Sequence, residues 1–217
     1  VAASIISAAA KIQLACCVFF FSFVFFDSIS DCIKNSDYLI LAIPSAFLHT
    51  SFTGLKESDL KEKIIFSAIK GIVPEHNLIV GEYLNTVYNV PLQNIGVITG
   101  PCHAEEVAME KLSYLTIASQ NTKNATTLSE LLNCRYLRSS VSDDIYGTEY
   151  SAVLKNVIAV AGGICHGLGY GDNFLAVLIS NAIQEIKRFV DAVHPIDRDI
   201  NASAYLGDLL VTAYSQF

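Results

Sequence analysis

At 217 residues, 52% hydrophobic and 16% charged, the chain has material for one large core or for one and a half ordinary domains, and its composition excludes a disordered or fibrous protein. A net charge of −7 disfavours a nucleic-acid groove, because phosphate backbones are gripped by clustered Lys and Arg. The six cysteines (16, 17, 32, 102, 134 and 165) form no CxxC pair and no regular framework, so a reducing, cytoplasmic setting is expected, with neither a zinc knuckle nor a disulfide scaffold.

In chain order, residues 1–26 are an apolar leader, with IQLACCVFFFSFVFF at 12–26 and Lys11 as the first charge. That run falls short of the roughly 20 residues of a spanning helix and lacks the charged start of a signal peptide. Membrane insertion is therefore disfavoured, and the leader reads as a replaced or degraded start of a domain, partly buried.

Residues 37–43, 64–69, 95–99 and 114–118 read as strands, and 74–88, 103–110 and 124–133 as helices, with a short strand at 135–139. Their hydrophobicity is continuous rather than alternating, which predicts a parallel sheet covered on both faces by helices. From about residue 144 the character turns helical, at 147–166 and 173–193, with Asp172 or Asn173 as the N-cap of the second helix. A boundary near 142–144 divides an incomplete Rossmann-like α/β domain at 27–143 from an incomplete all-α substrate domain at 144–217.

Ligands of open α/β sheets bind beyond the carboxyl ends of the strands. Here those ends carry Pro44 and Ser45, Lys70 and Gly71, and Gly100 to Cys102. Gly and Pro also punctuate strand ends for purely structural reasons, which leaves Lys70 as the residue that punctuation does not explain.

Lys155 is a lone cation in SAVLKNVIAVAGGI (151–164), on a helical face shared with Thr148, Ser151, Ala152, Ala159 and Gly162. Small neighbours leave room for a ligand, and burial there would lower the lysine's affinity for a proton, as an acid/base near neutral pH requires. A stem that snorkels along the helix to water is the other reading. Neither neighbouring Cys-His pair, 102–103 or 165–166, has the geometry to share a metal ion, so no metal is expected.

AIKG (68–71), GPCHAEEVA (100–108), LKN (154–156), GLGYGDN (167–173) and YLGDLLVT (205–212) occur in this order and with roughly this spacing in one family. On these motifs residues 27–217 resemble the NAD(P)-dependent glycerol-3-phosphate dehydrogenases, closest to the bacterial type. The resemblance implies hydride transfer between NAD(P)H and dihydroxyacetone phosphate or glycerol 3-phosphate, in the service of phospholipid synthesis. Either NAD or NADP is implied, with NADPH favoured, and a small phosphate ester as the partner; a homodimer is compatible with it.

By the same resemblance Lys155 is the acid/base, Lys70 supplies positive charge where substrate meets cofactor, and Asp208 engages substrate and holds the ammonium. Gly100, Cys102, Asn156 and Thr212 fall on substrate-side positions and Ala104, with Lys70, on cofactor-side ones, while Pro44 and Ser45 are read as cofactor-side from their place at a strand end. Taken without the family, Asp208 is also explained as a helix-start residue after Gly207, and Asn156 as an exposed side chain. Cys102 stands where Ser or Thr is usual, and a thiol is the weaker hydrogen-bond partner.

The sequence departs from the family in two further ways. No GxGxxG turn occurs before Asp37, and the chain stops at Phe217, short of an Arg-Asn pair expected to grip the phosphate. The expectation is a chain truncated at both ends that binds the dinucleotide weakly and turns over little. A dehydrogenase of the β-hydroxyacid type, which also carries Lys-Asn on this helix, and a non-catalytic, membrane-tethered remnant are the alternatives.

Overall fold

The computed structural model describes residues 3–6 and 26–214. Its main sheet has six strands in the order β1-β2-β3-β6-β7-β8: β1 Ala3–Ile6, β2 Tyr38–Leu41, β3 Ile64–Ser67, β6 Ile95–Thr99, β7 Ser113–Ser119 and β8 Leu137–Ser142. A separate two-stranded hairpin, β4 Ile72–Val73 and β5 Leu78–Ile79, follows Lys70 and Gly71. Around the sheet lie α1 Ile29–Lys34, α2 Leu48–Ser51, α3 Glu57–Leu60, α4 Val80–Tyr88, α5 Ala104–Ala108 and α6 Thr122–Leu132. The chain continues into α7 Ile145–Gly167, α8 Asp172–Val193 and α9 Asp208–Tyr214.

The central strands are buried as their unbroken hydrophobicity requires: Leu39, Leu41, Ile65, Phe66 and Ile95 are each 0% exposed. Two expectations about the sheet need correction. β7 runs antiparallel to β6, with Thr99 opposite Thr116, while β8 returns parallel to β7. The link from β6 to β7 is a loop with the short helix α5, and no βαβ crossover forms to force parallel pairing. Residues 3–6, assigned above to the leader, form a strand paired in parallel with β2, Ala3 opposite Tyr38. The apolar run 12–26 lies outside the described residues except for Phe26, which packs against the core.

The helix expected over 74–88 begins only at Val80, because residues 72–79 make the hairpin, and Asn77 at φ 54° turns it. The final strand is 137–142 rather than 135–139. Neither Asp172 nor Asn173 caps α8; its N-cap is Gly171, which makes no side-chain cap bond, and Asp172 is the acid of the first turn.

Helix α7 starts at the sheet and ends in the helical part. Its first residue, Ile145, packs with Val97 of β6 and Ala118 of β7, whereas Tyr150, Leu154 and Ile158 pack against the α8–α9 cluster around Ile179, Ile183 and Leu209. Asp144 caps it, accepting the Gly147 N–H at 2.9 Å, and also accepts from Arg198 Nε at 2.8 Å and Tyr205 Oη at 2.6 Å. Burial alone would raise the Asp144 carboxyl, but the Arg198, Tyr205 and Gly147 bonds outweigh it and hold it below the usual carboxylate range. Beyond the middle of α7 its outer face is apolar and exposed at Val157, Val160 and Ile164. Among the described residues no helix is long and apolar enough to cross a membrane.

Candidate active site

The last turns of the site are built by an unusual helix start. Residues Ser203–Gly207 form a π-helical turn that hands directly into α9, so that Asp208 is the first α-helical residue and faces inward at 1% exposure. Gly207 lies against Pro101 of the β6–α5 loop; a Cβ there would come 3.7 Å from the proline ring. Gly100 is needed for its backbone: its φ is 122°, and a Cβ would lie 2.8 Å from the Tyr114 carbonyl oxygen.

Across this junction Lys155 Nζ donates to Asp208 Oδ1 at 2.6 Å, with side chains only 10% and 2% exposed. The lysine does not snorkel. It is buried on the face with Thr148, Ser151, Ala152 and Gly162, as the small-residue pattern implied, although Ala159 is half-buried. Asp208 Oδ2 has no hydrogen-bond partner among the described residues, so one oxygen of a buried carboxylate still has accepting capacity.

Lys70 sits at the end of β3 with its Nζ 3.4 Å from the Ile98 carbonyl oxygen. Burial is the largest influence on its ammonium and lowers it to about 8; Asp208, Cys102 and Glu149 pull the other way, and Lys155 adds to the fall. That set of neighbours puts Lys70, Lys155, Asp208 and Cys102 in one electrostatic cluster. Burial raises the Cys102 thiol, the Lys70 charge partly offsetting it, so the sulfur is held as a neutral thiol.

Other residues singled out from the sequence are tied up locally. Asn156 is exposed and donates to the Lys70 carbonyl oxygen at 3.4 Å, while Thr212 Oγ1 donates 2.7 Å back to the Asp208 carbonyl oxygen within α9. Pro44 precedes a 3-10 turn at Ser45–Phe47, and Ser45 packs so closely on Gly71 that a Cβ there would lie 2.4 Å from its Oγ. Ala104 is exposed at the start of α5. The strand-end cluster thus gathers Ser45, Lys70, Gly100 and Cys102, with Lys155 and Asp208 supplied from the helices.

Sequence reasoning passed over Glu149. It is 0% exposed, and its two carboxylate oxygens accept the Gly81 N–H at 3.1 and 3.3 Å. Burial, the largest influence, pushes its carboxyl up to about 8 against the opposing Gly81 and Val80 N–H bonds. A lone acid in the apolar, small-residue start of α7 was the available signal.

Two family descriptions match the chain in sequence: the NAD-dependent glycerol-3-phosphate dehydrogenase N-terminus over residues 21–125 and the C-terminus of the same enzyme over 144–217. The chain belongs to the NAD-dependent glycerol-3-phosphate dehydrogenase family. Glycerol-3-phosphate dehydrogenase [NAD(P)+] of Clostridium botulinum (strain Eklund 17B / Type B) is 34% identical over 190 residues, 88% of this chain and 57% of that enzyme. The enzyme of the same name from Mycoplasma mobile is 32% identical over 185 residues, 84% of this chain and 55% of its own length. The chain therefore spans little more than half the length of these glycerol-3-phosphate dehydrogenases.

Among solved structures, the glycerol-3-phosphate dehydrogenase of Coxiella burnetii superposes with a TM-score of 0.78 at 27% identity, covering 88% of this chain and 58% of that one. The Saccharomyces cerevisiae glycerol-3-phosphate dehydrogenase gives 0.74 at 27% identity, covering 86% and 56%. The mostly parallel sheet followed by helices is the fold of this family.

Proposed function

We propose that this chain carries the reacting half of an oxidoreductase that moves a hydride between NAD(P)H and dihydroxyacetone phosphate or glycerol 3-phosphate. The observation that carries the reading is the convergence of Lys155, paired with Asp208 at 2.6 Å, and Lys70 at the carboxyl ends of the strands. When bound, the nicotinamide supplies or accepts the hydride at C2 of the substrate. The Lys155 ammonium gives a proton to the C2 oxygen in reduction, and the amine takes it back in oxidation. Asp208 holds that nitrogen in place, and its second oxygen is open to a substrate hydroxyl. Lys70 stabilises negative charge on the C2 oxygen from a water-poor position, where a fixed cation is worth far more than in bulk water.

The dinucleotide's nicotinamide end is assigned to the strand ends that carry Ser45, Lys70 and Gly100, since ligands of open α/β sheets bind beyond the carboxyl ends of the strands. Cys102 would face the substrate with a weak thiol donor. Asn156 and Thr212 hold the backbones of Lys70 and Asp208 beside the substrate. This reading treats 27–143 as the dinucleotide-binding part and 144–217 as the substrate part, in a cytoplasmic protein; the helical character from residue 145 supports the division.

Titration of the isotopically labelled chain with glycerol 3-phosphate tests the reading. Resonances of Lys70, Cys102 and Asp208 should move with glycerol 3-phosphate and not with glycerol, and the response should disappear in Lys70→Met. An equal response in wild type and Lys70→Met would overturn it.

A further inference from the structure

Taking from the dehydrogenase reading only what the two lysines do, we propose that Glu149 is a positioning residue for Lys70. Its buried carboxylate, seated on the first N–H groups of α4, fastens the helix that carries Lys155 to the segment that leads away from Lys70.

Helix α4 begins at Val80, and its N-cap residue Ile79 has no side chain able to receive the orphan N–H groups of the first turn. Glu149 receives them instead from 68 positions along the chain: Gly81 bonds both of its oxygens, and the Val80 N–H contributes as well. The N–H groups of a helix N-terminus favour the ionised form of an acid, but burial outweighs them here and keeps the Glu149 carboxyl protonated up to about pH 8. The seat is made for it. A Cβ on Gly81 would stand 2.9 Å from Glu149 Oε2.

The other end of the same segment is held by the same helix. Asn156 of α7 donates to the Lys70 carbonyl oxygen, and between that grip and the Glu149 seat lie only Gly71 and the β4–β5 hairpin. A hairpin of two-residue strands has little stability of its own, so its anchors decide where Lys70 points. One residue further on each helix, Tyr150 Oη donates to Glu82 Oε2 at 3.1 Å and adds a second tie between α7 and α4.

The charges agree with this arrangement. Facing Glu149 are the Val80 and Gly81 N–H groups and Glu82 from α4, and Lys70 from the end of β3. Glu149 in turn is one of the groups that keeps the Lys70 ammonium protonated against the effect of its burial. A purely structural staple would lower stability and leave the Lys70 titration where it is. A positioning residue moves that titration.

The experiment follows the Lys70 amine by NMR of the full chain carrying 13C-dimethylated lysines, with Lys70 assigned from its loss in Lys70→Met. In Glu149→Gln the Lys70 midpoint should fall by roughly half a pH unit, the effect of removing a buried charge beyond contact distance. An unchanged midpoint in a folded Glu149→Gln protein overturns the proposal. Should that variant not fold, coupling is read from the other partner, since the interaction is reciprocal: in Lys70→Met the ionisation of Glu149, followed through the pH dependence of unfolding, must move to higher pH. No movement there overturns the proposal equally. These readouts use neither cofactor nor substrate, so they stand apart from a failure of glycerol 3-phosphate to bind.

Discussion

Lys155 and Asp208 lie 53 positions apart in sequence and meet at 2.6 Å in a place almost closed to water. Removing one member of such a pair leaves the other charge buried without a partner, which typically costs about 3–5 kcal/mol. Asp208→Ala is therefore expected to lower the urea midpoint sharply. Lys155→Met with Asp208→Leu should recover most of the loss, since two apolar groups leave no orphaned charge. A double variant no more stable than Asp208→Ala would contradict the assignment of the pair as buried and mutually dependent.

Stability should pass through a minimum near pH 8. Glu149 has its carboxyl raised from 4.5 to about 8, so its contribution is fully present below pH 4.5 and is lost as pH rises through 8. Lys70 has its ammonium lowered from 10.5 to about 8, so its contribution is present above pH 10.5 and is lost as pH falls through 8. Thermal scans from pH 5 to 10 should show the fall and the recovery. Lys70→Met should abolish the alkaline recovery, and a flat profile in the wild type would refute both shifts.

Anion binding should follow the Lys70 charge. Affinity for glycerol 3-phosphate is expected to decline as pH rises through about 8, where the ammonium loses its proton. Calorimetric titrations at pH 7 and pH 9 test this. Equal affinities after allowance for the ester's own ionisation would show that Lys70 does not meet the phosphate ester.

Gly100→Ala is expected to destabilise by about 2–4 kcal/mol, combining a disfavoured backbone region with a clash against the strand opposite. The φ of 122° and the 2.8 Å approach to the Tyr114 carbonyl oxygen leave a methyl group nowhere to go. Denaturant unfolding measures it, and a loss under 1 kcal/mol would mean that the loop relaxes at little cost.

For this polypeptide, NADH and NADPH should bind weakly, with dissociation constants above roughly 100 µM, because the sequence has no glycine-rich turn before Asp37 to seat the pyrophosphate on a helix N-terminus. Fluorescence titration decides it. Low-micromolar affinity would show that another segment seats the pyrophosphate.

The strands β2, β3 and β6 were readable because burial on both faces leaves unbroken apolar runs, and α7 and α8 because they are long. The antiparallel turn of β7 was not, since its apolar run has the same composition whichever way it points. The β4–β5 hairpin hid inside a helix-like stretch for a similar reason: two-residue strands carry no period. Lys155 stood out as a charge among small and apolar neighbours and Lys70 as a cation at a strand end, whereas Asp208 was indicated only by the family motif. Thr212 and Asn156 were placed on the substrate side by the family motifs, and the sequence did not reveal that each also donates a hydrogen bond to backbone. Glu149 was marked only as a lone acid near the start of α7, because its partner is a bare N–H group that no residue type announces.

Because α7 runs unbroken from the sheet core at Ile145 to the helical core at Leu154 and Ile158, the two halves share one rigid beam. A swinging motion about residues 142–144 would have to tear Ile145 from Val97 or uproot the Arg198 and Tyr205 bonds to Asp144. Lys155 and the sheet core are therefore carried on one continuous element, like two marks on a ruler.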